Sequence, residues 1–238
     1  MFLVNYWLSN LVYEIVLVLY QIADAGRIHP VRERALRSLA STVDYVEARM
    51  PNALGFGTAK ALLAYAINET NVHGHYLEFG VFSGGSIRYL AKLRRDQTFH
   101  GFDSFQGLPE SWAGTRLQRS TFSKGGKAPR VPRNVTLHKG WFSKTLPLWR
   151  ETFEGPLAFV HIDCDLYSST ADIFSELGDR LQPGSVIVFD EYFNYPNWQE
   201  HEFKAWQEFV ASHGVRYEYL AYARYQVAVR VTQMTGHD

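Results

Sequence analysis

Two short apolar runs in this chain end in carboxylates. Leu157-Ala-Phe-Val-His-Ile leads into Asp163-Cys-Asp165, and Ser185-Val-Ile-Val-Phe leads into Asp190-Glu191. Runs this short, rich in β-branched and aromatic residues, predict buried parallel strands. Carboxylates crowded at two neighbouring strand ends repel one another unless a cation or a proton reconciles them. All are hard oxygen donors, with Cys164 the one softer group among them, so the pattern predicts a divalent ion such as Mg2+, Ca2+ or Mn2+. For Asp165 alone, a strand-end acid capping the next helix is an equally simple reading.

The rest of the pattern places these strands. Helical spacing predicts helices over Val31–Met50, with Leu36, Leu39, Val43 and Val46 on one stripe, and over Thr58–Glu69. From Tyr76 onward strands and helices alternate. Strands are expected at Tyr76–Phe79, Thr98–Phe102, Val135–His138, Leu157–Ile162 and Val186–Phe189, followed by a hairpin of Tyr217–Ala221 and Tyr225–Val231. Helices are expected after Gly84, after Ser143, from Ser168 or Ser169 as N-cap, and near Trp198, with Pro183-Gly184 stopping the third of these. The result is an α/β fold: a doubly wound, mostly parallel seven-stranded sheet with a C-terminal antiparallel hairpin and added N-terminal helices. Residues 1–70 read as a helical extension and 71–238 as the main domain. Ligands of such sheets bind beyond the carboxyl ends of the strands, where both acidic clusters fall.

Charge is balanced overall, with a formal net charge of zero, which gives no general attraction to nucleic acid. It is uneven locally. No acid stands between Glu110 and Glu151, while Arg116, Arg119, Lys124, Lys127, Arg130, Arg133, Lys139, Lys144 and Arg150 do. Gly, Ser, Thr and Pro punctuate much of this stretch, so residues 106–133 are expected to form a long basic loop. Such a loop is either a solvated surface segment or a lid that meets an anionic acceptor. The single cysteine makes no internal disulfide and suits a reducing, cytoplasmic setting. Met1–Ile22 is mostly apolar but carries Glu14. Docking or homo-oligomer contact, membrane contact through residues 1–25, and targeting all stay open for it.

The first strand of the alternating region runs into Glu78-Phe-Gly80-Val-Phe-Ser-Gly84-Gly85-Ser86, and the next ends in Asp103. Glycines allow a sharp turn and close ligand approach, but this is not the dinucleotide pattern. An acid ending the second strand commonly takes ribose hydroxyls. A nucleoside without phosphates fits, and S-adenosylmethionine (SAM) is such a ligand, because its amino-acid group asks for an acid near the first glycine turn. Each glycine alone could equally serve a tight turn.

These motifs, with Asp103-Ser-Phe-Gln-Gly-Leu-Pro, Gly140-Trp-Phe-Ser-Lys-Thr-Leu-Pro, His161-Ile-Asp-Cys-Asp-Leu-Tyr-Ser-Ser-Thr and Phe189-Asp-Glu-Tyr, resemble the macrocin O-methyltransferase family over roughly Tyr76 to Val231. That resemblance implies a class I, Rossmann-like, metal-dependent SAM methyltransferase acting on sugar hydroxyls. It implies SAM binding by Glu78, Gly80, Asp103 and Ser104, to which Gly84 and Asp163 are added as cofactor-binding residues. It implies a divalent cation, Mg2+ first, on Asp163, Asp190 and Glu191, with Asp165 as general base. The family pair at the second cluster is usually Asp-Asp, so Glu191 is a departure. The basic loop differs too, and the family's antibiotic acceptors are not carried over. The expected acceptor is a hydroxylated small molecule, anionic or saccharide.

An alcohol is a poor nucleophile while it keeps its proton, and an ordinary aspartate, with a pKa of about 3.9, is a weak base for it. A cation on the hydroxyl closes most of that gap. His161 reads as a core histidine, His138 as a residue at the ligand rim, and Cys164, set between acids, as an unreactive thiol. Tyr192–Trp198 is either an aromatic wall for an acceptor or loop packing. Two further readings stay open: a D-x-D glycosyltransferase using Asp163-Cys-Asp165 and a nucleotide sugar, and a non-catalytic scaffold recruited through its N-terminus.

Overall fold

The computed structural model describes residues 15, 16, 18, 19, 29–113, 115 and 117–234. An eight-stranded sheet organises them, in the order β1-β7-β8-β6-β5-β2-β3-β4. The strands are β1 (Leu54–Gly55), β2 (His75–Phe79), β3 (Phe99–Asp103), β4 (Val135–Lys139), β5 (Leu157–Ile162), β6 (Leu181–Phe189), β7 (Arg216–Tyr222) and β8 (Val227–Gln233). The pairs from β6 through β4 are parallel, and β8 inserts antiparallel between β6 and β7. This is the doubly wound sheet with a terminal hairpin that the alternating pattern predicts. The extra strand, β1, is a two-residue parallel pairing with β7 at the sheet edge, too short to leave a sequence signal.

The helices are α1 (Pro30–Arg49), α2 (Ala59–Asn68), α3 (Gly85–Leu93), α4 (Phe142–Thr152), α5 (Tyr167–Leu177) and α6 (Glu202–His213). Three local expectations are corrected. Helix α5 starts at Tyr167 after Leu166, so neither Ser168 nor Ser169 caps it. It ends at Leu177 and passes through a 3-10 turn, so Pro183-Gly184 does not stop it. Those two residues lie inside β6, where the register against β5 shifts between Leu157 and Phe159. The element expected near Trp198 is a 3-10 turn, Trp198–Glu200, with α6 beginning just after it.

Each face of the sheet carries its own core. Leu77, Phe79, Phe102, Trp149, Ile162, Phe174, Phe189 and Trp206 fill one side. Leu62, Ile67, Tyr76, Ile87, Phe99, Phe159, Val186 and Val188 fill the other. Burying each such side chain contributes roughly 1.5–3 kcal/mol, which holds the strand ends rigid. The chain leaves β2 toward β3 on one side and places β5 on the other, so the topological switch falls between β2 and β5. Most of residues 1–25 lies outside the described residues; Ile15, Val16, Val18 and Leu19 are exposed. No helix among the described residues is long and apolar enough to cross a membrane.

Candidate active site

Gly80 marks the switch point. It follows β2 with φ +91°, and a Cβ there would overlap the Asp163 carbonyl. The bare backbone lets β2 and β5 run on as neighbours: Asp163 N–H donates to Phe79 O at 2.8 Å, and Asp190 N–H donates to Ile162 O at 2.8 Å. The two acidic clusters are thereby brought side by side, as the sequence predicts.

Side-chain alternation puts Glu78, His161 and Asp190 in a row on one face of three adjacent strands. His161 Nδ1 lies 3.0 Å from Glu78 Oε2, and Nε2 lies 3.7 Å from Asp190 Oδ1, beyond hydrogen-bond length. Burial opposes a charge on His161, but the Asp190 and Glu78 carboxylates outweigh it and hold its pKa well above the usual histidine range. Burial likewise opposes ionisation of Asp190, yet the His161 imidazolium prevails and keeps that carboxyl low. His161 is thus a buried core histidine with an electrostatic role that its sequence context did not show.

Asp163, Asp190 and Glu191 each offer an oxygen within 4.8 Å of the others. Burial first and the Asp190 charge second push Asp163 and Glu191 well above the carboxylate range. Glu191 Oε2 is buried without a hydrogen-bond partner among the described residues. Hard donors at this spacing, an orphaned oxygen and mutually repelling charges together fit a divalent cation. Asp165 sits beside this cluster at 8% exposure with φ +65°, in the left-handed region. Burial and the Asp190 charge push its carboxyl up to about 7.

A cavity of about 580 Å³ opens over these groups. Gly80, Asp103, Ser104, Asp163, Asp165 and Glu191 line it, while Glu78, Gly84 and Asp190 do not, Asp190 standing behind the lining beside His161. Glu78 is fully buried between His161 and the Ser86 hydroxyl, and Gly84, at φ +76°, starts α3. Asp103 faces the cavity with its oxygens already engaged: Oδ2 accepts from Val81 N–H (2.9 Å) and Phe82 N–H (2.6 Å), and Oδ1 from Phe105 N–H (2.6 Å). It fastens the glycine turn to the start of the loop.

The described residues of that loop, 106–113, 115 and 117–133, fold over the cavity without a regular helix or strand. Leu108 and the Ser120–Thr121 backbone exchange hydrogen bonds, and Phe105 O accepts from Lys124 N–H and Gly126 N–H. Its tip docks beside the second acidic cluster: Trp112 packs on Tyr195 (5.5 Å) and His201 (5.8 Å), and Ala113 O lies 3.1 Å from His201 Nε2. Glu110 accepts from Ser168 Oγ at 2.6 Å, which is where the expected N-cap hydroxyl is used. Among the described lining residues no lysine or arginine occurs. The loop's described basic groups therefore do not line the cavity.

Sequence reasoning missed Glu202, a fully buried carboxylate at the start of α6 whose Oε2 accepts from Glu191 N–H at 3.0 Å. Its signal was its place on the apolar stripe with Ala205, Trp206 and Phe209. His138 is not at the cavity: it stacks on Phe102 and His100, half-buried, and desolvation lowers its pKa. Tyr192, Phe193 and Trp198 are buried and pack the loop rather than wall an acceptor. Cys164 is buried, and desolvation first, then the Glu202 charge, pushes its thiol up.

Residues 77–192 match a family model described as a methyltransferase domain. The 8-demethyl-8-(2,3-dimethoxy-alpha-L-rhamnosyl)-tetracenomycin-C 4'-O-methyltransferase of Streptomyces olivaceus is 32% identical over 149 residues, 51% of this chain and 54% of that protein. Demethyldecarbamoylnovobiocin O-methyltransferase of Streptomyces niveus is 31% identical over 148 residues, 53% of this chain and 55% of that protein. The chain spans about half the length of these curated relatives. The crystal structure of CalS11, a calicheamicin methyltransferase, aligns with a TM-score of 0.59 at 21% identity, covering 72% of this chain and 77% of that one. The fold is that of class I methyltransferases, and the resemblance to the macrocin O-methyltransferases agrees with these relatives.

Proposed function

We propose that the methyltransferase domain seated on residues 77–192 belongs to a metal-dependent SAM O-methyltransferase acting on a hydroxyl of a small molecule, a sugar or glycosylated metabolite. The observation that carries this reading is the convergence of Asp163, Asp190 and Glu191 beside a buried Asp165, at the switch point and under one cavity. The relatives' printed activities, O-methylation of rhamnosyl and novobiocin compounds, support the acceptor class.

Methyl transfer from a sulfonium is an in-line displacement, so acceptor oxygen, methyl carbon and sulfur must be held nearly collinear. Gly80, Asp103, Ser104 and Asp163 line the cavity and are the groups proposed to meet SAM. Glu78 and Gly84 act behind them, Glu78 by orienting His161 and Ser86, Gly84 by starting α3. Asp163, Asp190 and Glu191 would hold the cation, which when bound lowers the acidity barrier of an acceptor hydroxyl and orients it. Asp165, which lines the same cavity beside the cluster, is the group proposed to accept the hydroxyl proton. The imidazolium of His161 keeps Asp190 ionised beside two carboxyls that burial would otherwise protonate.

The D-x-D glycosyltransferase reading needs cations for a diphosphate, and none lines the described cavity. We extend the proposal to the chain's organisation: residues 71–238 as the catalytic unit and 1–70 as a helical extension whose Leu54–Gly55 pairs with β7. A cytoplasmic setting and a membrane or oligomer contact through residues 1–25 belong to the same proposal. Calorimetric titration with SAM, with and without Mg2+, tests the core of it, and absence of SAM binding in both overturns it. Asp165→Asn should lower kcat roughly 10²–10⁴-fold while SAM and Mg2+ still bind.

A further inference from the structure

The backbone around the second acidic cluster leaves one amide without a strand partner. Asp190 N–H goes to Ile162 O, and Tyr192 N–H goes to Tyr225 O at 2.9 Å. Glu191 N–H, between them, is taken by the Glu202 carboxylate at 3.0 Å. On the other side of the same residue, Tyr195 Oη donates to Glu191 O at 3.0 Å. Both groups come from the segment that follows the cluster; Glu202 is completely buried and Tyr195 half-buried.

A buried carboxylate is an expensive way to satisfy the Glu191 amide, which it does while also lying against the Cys164 amide of the first cluster. Desolvating it costs several kcal/mol unless its lone pairs are used, and Glu202 Oε1 is left without a partner among the described residues. An apolar side chain would pack equally well on the stripe of Ala205, Trp206 and Phe209. What an apolar residue could not do is fix the φ/ψ of Glu191. That matters because a glutamate carries one more methylene than an aspartate, so its carboxylate is placed only as well as its backbone is held.

We propose that Glu202 and Tyr195 form a backbone clamp on Glu191 that positions its carboxylate against Asp163 and Asp190, making both of them positioning residues for the cation site. The inference rests on the methyltransferase reading, since it assigns the clamp to that reading's metal centre. Glu202 contributes the hydrogen bond to the amide, and Tyr195 the one to the carbonyl. Neither is placed as a ligand.

Mg2+ titration by calorimetry on the full chain tests it, beside SAM titration and thermal denaturation. Glu202→Leu removes the amide acceptor; Glu202→Gln keeps one carbonyl oxygen for it; Tyr195→Phe removes only the hydroxyl. The clamp predicts Mg2+ affinity roughly 10–100-fold weaker in Glu202→Leu, several-fold weaker in Tyr195→Phe, and largely restored in Glu202→Gln, with SAM affinity and melting temperature held. A merely structural Glu202 would move the melting temperature and leave Mg2+ affinity alone, and that result overturns the proposal. Should Glu202→Leu fail to fold, Tyr195→Phe decides, because wild-type Mg2+ affinity in that variant also overturns the clamp. A wild-type chain that binds SAM but no Mg2+ overturns the clamp together with the metal reading.

Discussion

The two sides of the cavity are built from the same ingredients and finished differently. On the β2–β3 side a glycine turn and an acid, Asp103, meet, and the acid's oxygens take three backbone amides. On the β5–β6 side acids also meet, yet Glu191 Oε2 and Glu202 Oε1 are buried without partners among the described residues, and Asp163, Asp165 and Glu191 are pushed toward protonation. The first side is complete as a protein structure. The second is complete only with something added, and that difference separates a scaffold from a reaction centre better than a count of acids does.

The sharpest way to break the comparison is to exchange the roles of its acids. Asp163→Asn should reduce activity by a factor of roughly 10³ or more while leaving the melting temperature of the metal-free protein near wild type, because burial and the Asp190 charge already push that carboxyl toward its neutral form. Activity assays beside thermal denaturation check both halves, and a sharply destabilised but active variant would invert the assignment. Asp103→Ala should do the opposite at the level of folding. Losing a carboxylate that holds three amides should lower stability by roughly 3–5 kcal/mol, measured by denaturant unfolding, with Mg2+ affinity per folded molecule little changed.

A smaller effect comes from pH. Asp165 (about 7), Glu202 (about 8) and His161 all have folded-state pKa values above their unfolded ones. The raised carboxyls hold extra protons in the native chain from about pH 4 upward and His161 adds one above about pH 6.5, so their contribution to stability falls as pH rises through 7 to 8. His100, lowered to about 4 by burial, then His138 and His75, changes stability only below that window. Melting temperatures of the metal-free protein should drop by a few degrees between about pH 6.5 and 8, and Mg2+ should restore more at the upper end of that range than at the lower. A flat profile would remove the electrostatic contrast between the two sides.

The strand ends were legible because a short apolar run that stops at a pair of acids is a buried strand opening onto a polar site. The glycine turn was legible from its place at the end of such a run, although Gly80 answers first to the Asp163 carbonyl. What failed were residues whose local chemistry was overruled by distant partners. Ser168 looks like an N-cap, but its hydroxyl donates to Glu110 of the loop. Pro183 and Gly184 look like a helix stop, but they bridge a register shift that Ser185 closes onto the Leu157 carbonyl. Glu202 went unread because an acid on the apolar stripe of Ala205, Trp206 and Phe209 shows its role only once the Glu191 amide is seen against it. For the basic loop both readings were open from composition, and the described lining of the cavity it covers carries acids and no cation.

Trp112 at the tip of that loop rests on Tyr195, whose hydroxyl holds the carbonyl of Glu191. The loop tip and the backbone of the second acidic cluster thus share one mechanical element. Linkage requires reciprocity between such sites: if an acceptor beneath Trp112 tightens the hold on a cation by some factor, the cation tightens the hold on that acceptor by the same factor.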